Sequence, residues 1–207
     1  MSGTETVLIL AGWALMAGSP GPATLSLAGT AMQGGRGAGL TLAAGVLTGS
    51  ATWGLAAALG LSAVMMANVW LFEVVRYAGA AYLSFLALKS LRSALSARGG
   101  LAAKVVSGSR ARIFRRGLFI HLTNPKAVLA WGSIYAIVLP SGAAPGEVWV
   151  WFAMLVGTSA SVFLLYSLLF STRKALQVYT GLRRWFESVF ALLFGAAAVK
   201  ILTAQLT

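Results

Sequence analysis

The sequence predicts an all-α integral membrane protein with six transmembrane helices, and two observations lead to that prediction. Of its 207 residues, 58% are hydrophobic and only 10% are charged, whereas a soluble surface needs roughly a quarter or more of charged residues. The apolar runs are also long enough to span a membrane, because about 20 helical residues cross a hydrocarbon core about 30 Å thick. We therefore expect a single transmembrane domain over residues 1–207.

The apolar runs divide the chain into two units of three helices, residues 1–91 and 117–207, joined by a basic loop over residues 92–116. We predict that the first and the fourth helix are each broken near the middle. In the second helix, the spacing of Gly45 and Gly49 allows a neighbouring helix to approach closely. The predicted spans are, in order, about Thr6–Met32, Ala38–Ala67, Val69–Leu91, Gly117–Leu139, Glu147–Ser171 and Trp185–Thr203.

The basic residues predict how the chain lies in the membrane. Lys and Arg total 16 against four acidic residues, a balance that would suggest nucleic acid on a soluble chain, but here most of them lie between apolar segments. The connections after spans one, three and five carry one, seven and four basic residues, and those after spans two and four carry none. Because such residues concentrate in cytoplasmic loops, we expect both termini outside. We expect the basic loop to contact anionic lipid headgroups. We expect no nucleic-acid partner.

Two helix breakers, about a hundred residues apart, interrupt apolar runs. Each proline removes a backbone donor, and inside a membrane irregular backbone is tolerated only where protein or a water-filled cavity surrounds it. A helix that restarts at a proline presents free N–H groups and its positive dipole end, which suit a carboxylate. Proline kinks that only shape the bundle are the alternative. We assign substrate binding to Pro20, Gly21, Pro22, Asn124, Pro125 and Lys126.

The two three-helix units also resemble each other. Pro22-Ala23 parallels Pro125-Lys126-Ala127, and Gly49-Ser50-Ala51 parallels Gly157-Thr158-Ser159. Three helices per unit would make the repeat an inverted one, and paired interrupted segments in two halves indicate the binding site of a transporter. A chance match between helices rich in glycine and alanine is the alternative.

Four ionisable residues inside the spans are candidates for function. Glu73 and Arg76 lie one helical turn apart and could form a structural ion pair or an outer gate. His121, the only histidine, could carry protons because its ordinary pKa is near neutrality, or it could be a packing residue. Lys126 lies about 13 Å into its span at 1.5 Å per residue, so it either marks a functional site or snorkels to the headgroups.

Composition excludes several kinds of chemistry. The chain has no cysteine and no aspartate, so it forms no disulfide and offers no thiolate metal site. We expect no cofactor, and no cluster of residues predicts an enzyme. A metal-ion exporter and a membrane-embedded enzyme remain the alternatives to a carrier of organic solutes. The helices rich in glycine and alanine permit a homodimer without requiring one.

An ordered set of short motifs resembles the LysE/RhtB family of bacterial amino-acid exporters. The resemblance implies a six-helix carrier of the inner membrane that expels amino acids or close analogues, most simply in exchange for protons. In that membrane, the distribution of basic residues predicts that both termini are periplasmic. Pro140-Ser141-Gly142 and Ala87 depart from the family pattern and leave the substrate open. The matching motifs are Pro20-Gly21-Pro22-Ala23, Gly35-Arg36-Gly37-Ala38-Gly39-Leu40 with Gly45 and Gly49, Tyr77-Ala78-Gly79-Ala80-Ala81-Tyr82-Leu83, and Gly117 with Asn124-Pro125-Lys126-Ala127.

Overall fold

A computed structural model of the protein describes residues 2–19, 21–67, 69–96, 105–139, 145–170, 178 and 181–203. Within these residues the chain folds into seven α-helices. The helices are α1 (Gly3–Gly18), α2 (Pro22–Ala67), α3 (Val69–Leu95), α4 (Arg110–Leu122), α5 (Pro125–Val138), α6 (Pro145–Leu169) and α7 (Arg183–Thr203).

Both predicted helix breaks are present. The first separates Gly18, the last residue of α1, from Pro22, the first residue of α2. The second separates α4 from α5, which begins at Pro125 with Asn124 as its N-cap. Proline is favoured at the first position of a helix because its missing N–H would have no helical partner there.

The predicted turn between the first two spans is reduced to one residue. Gly35 has φ 75° and ψ 177°, and the helix continues on both sides of it within α2. A positive φ strains any residue that carries a Cβ atom. The two parts of α2 therefore change direction at a residue that tolerates the change.

The basic loop predicted over residues 92–116 is shorter than expected. Helix α3 continues to Leu95, and α4 begins at Arg110 because the Ser109 side chain caps it by accepting from the backbone N–H of Arg112 (3.4 Å). Four of the basic residues thus are exposed residues of helix α4 rather than part of a loop, and residues 97–104 lie outside the described part of the chain. These four are Arg110, Arg112, Arg115 and Arg116.

Helices α2 and α4 cross in close backbone contact, as the spacing of Gly45 and Gly49 predicts. A Cβ atom on Gly45 would lie 2.1 Å from the carbonyl oxygen of Phe114. From the other side, a Cβ atom on Gly117 would lie 2.4 Å from the carbonyl oxygen of Leu42. Small residues allow membrane helices to approach in this way, so this crossing fixes α4 against α2.

Two described stretches are long and apolar enough to cross a membrane, namely Pro22–Gly60 and Gly146–Leu169. Shorter apolar helical stretches lie at Gly3–Gly18 and Glu187–Ala196. The buried apolar residues form two clusters, one around Trp131 and Tyr135 and the other around Leu27 and the α2–α4 crossing. Six spans and an inverted repeat stay predictions, whereas the all-helical architecture is established for the described residues.

The α2–α4 crossing predicts that Gly45→Ala destabilises the protein by roughly 1–3 kcal/mol, the usual cost of overpacking. The added Cβ atom meets main-chain atoms, which cannot move aside as a flexible side chain can. Thermal unfolding of the detergent-purified protein measures the effect.

Gly157→Ala in α6 is the matched control, because nothing lies within 4 Å of the position that its added Cβ atom would take. Alanine is favoured over glycine inside helices by about 0.5–1 kcal/mol, so this variant should unfold at the same or a higher temperature. Equal melting temperatures for the two variants would contradict the crossing.

Candidate functional site

The two helix breaks meet, and the contact between them is made by Lys126 at the start of α5. Its Nζ atom donates to the backbone oxygen of Met16 at 2.8 Å and to Oγ of Ser19. Both acceptors belong to the end of α1, more than a hundred residues earlier in the chain. The charge of the lysine therefore lies at the negative end of a helix dipole, where a cation is stabilised.

Other side chains satisfy the carbonyl groups that the breaks leave without helical partners. The hydroxyl of Tyr166 donates to the backbone oxygen of Gly18, and Thr24 Oγ1 donates to that of Ser19 at 3.0 Å. At the second break, the indole of Trp53 donates to the backbone oxygen of Leu122 at 3.2 Å. An unpaired carbonyl in an apolar medium costs several kcal/mol, so these bonds make the irregular backbone tolerable.

The two restarting helices differ in what they offer a ligand. At α5 the Asn124 side chain accepts from the N–H of Lys126 at 3.1 Å, and the Asn124 backbone oxygen accepts from that of Ala127 at 2.9 Å. The expectation of free N–H groups at α5 is therefore wrong, because the asparagine caps its own helix. At α2 the amides of Ala23 and Thr24 have no partner within their own helix, and both residues line the cavity described next.

A small cavity lies where the breaks meet, and we call it the polar cavity because several polar side chains line it, although most of its surface is apolar. Its volume is about 40 Å³, which is enough for roughly three water molecules. The sixteen residues around it are Trp13, Met16, Ala17, Ser19, Gly21, Ala23, Thr24, Ser50, His121, Asn124, Lys126, Ala127, Ala130, Trp131, Ser159 and Phe163.

Two tryptophans form one wall of this polar cavity. The Trp13 indole donates to the backbone oxygen of Leu155 at 3.0 Å and to Oγ of Ser159 at 2.9 Å. The Trp131 indole donates to Oγ of Ser50 at 3.1 Å. The two rings pack edge to face with centroids 4.7 Å apart. These bonds hold α1 and α5 against α6 and α2 on the tryptophan side of the cavity.

A wider cavity of about 410 Å³ lies beyond Trp13, Met16 and Ala130, which line both spaces. Its walls come from α1, α3, α5 and α7 and are mostly apolar. Glu5, in the first turn of α1, contributes a carboxylate to the lining. The wide space therefore extends from the polar cavity toward the N-terminal end of α1.

The structure brings several of the predicted site residues together. Gly21, Asn124, Lys126 and His121 all line the polar cavity. Two further members of the predicted set, Pro22 and Pro125, are the first residues of α2 and α5. Pro20 lies outside the described residues. Glu73 and Arg76 lie in α3, but the structure does not describe their side chains.

Sequence reasoning missed residues that the structure places at or near the site. Ser19 stands inside the first breaker motif, and its position next to Pro20 was the available signal. Trp13 lies less than two turns before the same break. Glu187 is 8% exposed and accepts from Ser93 Oγ at 3.1 Å. A lone carboxylate in an apolar helix was the signal that could have identified it.

An all-helical chain with apolar spans, two broken helices and a cavity between them has the features typical of membrane transporters. The family model described as LysE type translocator matches residues 14–205. The chain therefore belongs to the LysE family of translocators, which are transporters and not enzymes.

Curated relatives extend over most of the chain. The threonine efflux protein of Escherichia coli strain K12 is 26% identical over 189 residues, covering 90% of this chain and 92% of its own. An uncharacterized membrane protein of Pseudomonas aeruginosa is 30% identical over 91% and 90% of the two chains. The leucine efflux protein of Salmonella choleraesuis is 37% identical over 116 residues, covering 56% and 54%. No solved structure matches.

The tryptophan wall predicts that Trp13→Phe destabilises the protein by about 1 kcal/mol or more. The variant keeps an aromatic ring but loses the indole donor that bonds to both Leu155 and Ser159, and a typical buried hydrogen bond contributes about 1 kcal/mol. Trp149→Phe is the control, because Trp149 is 46% exposed. The melting temperatures of the two purified variants are compared, and a Trp13 variant as stable as the Trp149 variant would contradict the bracing role.

Proposed function

We propose that this protein exports a small zwitterionic amino acid from the cytoplasm of a bacterium. The proposal rests on the family and on the relatives named as threonine and leucine efflux proteins. The observation that carries it is the Lys126 ammonium, which lies at the meeting point of two broken helices and lines a polar cavity. Intramembrane cations of this kind are costly and mark transport pathways.

The substrate carboxylate would bind between Lys126 and the first turn of α2. Lys126 supplies a charge, and the amides of Ala23 and Thr24 supply N–H donors at a positive dipole end. Asn124 lines the same cavity, and its side-chain amide group adds a donor. In this arrangement the substrate carboxylate replaces the Met16 carbonyl and the Ser19 hydroxyl as partner of the lysine.

Substrate entry requires the cavity to grow, because about 40 Å³ admits only a few waters. When Lys126 turns from the end of α1 to a substrate, the main direct bond between the two breaks is lost, and α1 is free to move relative to α5. This coupling supports alternating access, in which one three-helix unit rocks against the other. The wide apolar cavity beyond Trp13 and Met16 would then be the exit route.

The coupling ion in our proposal is the proton. It would be exchanged by one of the two titratable side chains on the wall of the polar cavity, His121 or Lys126. Glu73 and Arg76 would gate the outer side. The proposal includes six spans in the inner membrane with periplasmic termini, and it leaves room for a homodimer.

Export predicts that Lys126→Ala and Asn124→Ala abolish release of the amino acid that the wild type exports. Cells are loaded with dipeptides that contain threonine, leucine or other amino acids, and the appearance of free amino acids outside is followed. Arg110→Ala is the control, because Arg110 is an exposed basic residue at the start of α4. Normal efflux by both site variants would refute the site.

Asn124→Ser separates binding from folding in this experiment. Serine caps a helix about as well as asparagine, so α5 keeps its N-cap while the amide donor is lost. We expect Asn124→Ser to accumulate in the membrane as the wild type does and yet to export poorly. Full export by this variant would assign Asn124 a capping role only.

The proposed orientation predicts opposite labelling at two exposed positions. The natural sequence lacks cysteine, so Gly3→Cys and Ser107→Cys each introduce a single thiol. A membrane-impermeant maleimide should modify Gly3→Cys in intact cells, and Ser107→Cys only after the inner membrane is opened. Labelling of both in intact cells, or the reverse pattern, would contradict periplasmic termini.

A further inference from the structure

One residue on the wall of the polar cavity has a buried side-chain nitrogen without a hydrogen-bond partner. Among the described residues, Nδ1 of His121 is the buried side-chain nitrogen or oxygen that has no hydrogen-bond partner. The residue is only 7% exposed and lines the cavity beside Asn124 and Lys126. A buried polar atom without a partner is rare in native proteins and calls for an explanation.

Packing holds the imidazole where it is. A Cβ atom on Gly49 would lie 2.9 Å from the His121 Cβ atom, so α2 passes directly behind the residue. The ring of Phe163 contacts the imidazole from α6, edge to face, with centroids 5.9 Å apart. The backbone oxygen of His121 accepts from the N–H of Asn124 at 3.1 Å, which joins the residue to the second break.

Most of the remaining cavity groups serve as donors or are already occupied, and the Met16 carbonyl and the Ser19 hydroxyl become free acceptors only after Lys126 has turned to the substrate carboxylate. Lys126, the first amides of α2 and the Asn124 amide group are donors that suit a carboxylate. The hydroxyl of Thr24 donates to the backbone oxygen of Ser19, and that of Ser159 accepts from Trp13. A zwitterion also brings an ammonium group with N–H donors, and these need an acceptor.

We infer that Nδ1 of His121 accepts a hydrogen bond from the α-ammonium group of the exported amino acid. A neutral imidazole with its proton on Nε2 presents Nδ1 as an acceptor, and Lys126 is the one charged side chain among the described residues of the cavity wall. The inference rests on the proposed function and narrows its substrate class to amino acids that carry at least one N–H. It leaves Lys126 as the wall group available for proton exchange.

Two substitutions distinguish this role from that of a proton carrier. In His121→Asn the side-chain oxygen can occupy the position of Nδ1, whereas in His121→Gln the amide group reaches the position of Nε2. Uptake of labelled threonine and leucine into inside-out vesicles is measured for both variants. We expect KM to rise roughly tenfold more in His121→Gln than in His121→Asn, which equals about 1.4 kcal/mol. Equal loss in both variants would overturn the inference.

Competition by analogues tests the ammonium group itself. The N,N,N-trimethyl derivatives of threonine and leucine keep the positive charge and the carboxylate but have no N–H donor. These analogues should compete poorly with the substrate in the wild type. In His121→Ala the affinity for the substrate should fall while the affinity for the analogue stays the same. The variant should therefore lose most of the wild type's preference for the substrate over the analogue. Undiminished discrimination in His121→Ala would overturn the inference.

Controls separate the failure of this inference from the failure of the proposed function. If wild-type vesicles take up none of the amino acids in the panel, the proposed function fails before any variant is compared. If the wild type transports and the Asn and Gln variants behave alike, only the role of His121 fails. Variant amounts in the vesicles and melting curves of the purified proteins show whether each variant folds.

Discussion

The structure depends on the bond between the Lys126 ammonium and the carbonyl end of α1. Two costs meet there, because a charged side chain and an interrupted helix are each unfavourable in an apolar medium. The lysine supplies donors to Met16 and Ser19, and the end of α1 supplies acceptors to the lysine. These hydrogen bonds therefore lower the free-energy cost both of the charged side chain and of the interrupted helix. The polar cavity exists because the two breaks are held together in this way.

Other contacts hold the helices around the cavity together, and they differ in kind from the bond of Lys126. Helix α4 packs against α2 at Gly45 and Gly117, where the two backbones are in direct contact. The tryptophan wall joins α1 to α6 and α5 to α2 by indole hydrogen bonds. By contrast, Lys126 contacts the end of α1 through an ammonium group whose N–H donors can rotate and whose aliphatic side chain is flexible. In the proposed mechanism it is the connection that the substrate carboxylate replaces.

The sequence predicted the helical class, both breaks and the close approach at Gly45, because prolines and glycines act locally and their spacing is visible. It did not predict that Asn124 uses its acceptor on its own helix, since capping depends on a side-chain rotamer. The partnership of Trp13 with Ser159 joins residues 146 positions apart in the chain. Glu187 was missed for the same reason, because its contact with Ser93 arises only when α7 packs against α3.

Ligand-dependent melting of the purified protein tests the central claim, that Lys126 binds a carboxylate between the two breaks. The exported amino acid should raise the melting temperature of the wild type, whereas its carboxamide, which keeps the ammonium group and lacks the carboxylate, should not. In Lys126→Met the amino acid should have no effect although the variant still unfolds cooperatively. Equal stabilisation by the amino acid and its carboxamide, or an undiminished shift in Lys126→Met, would contradict the account.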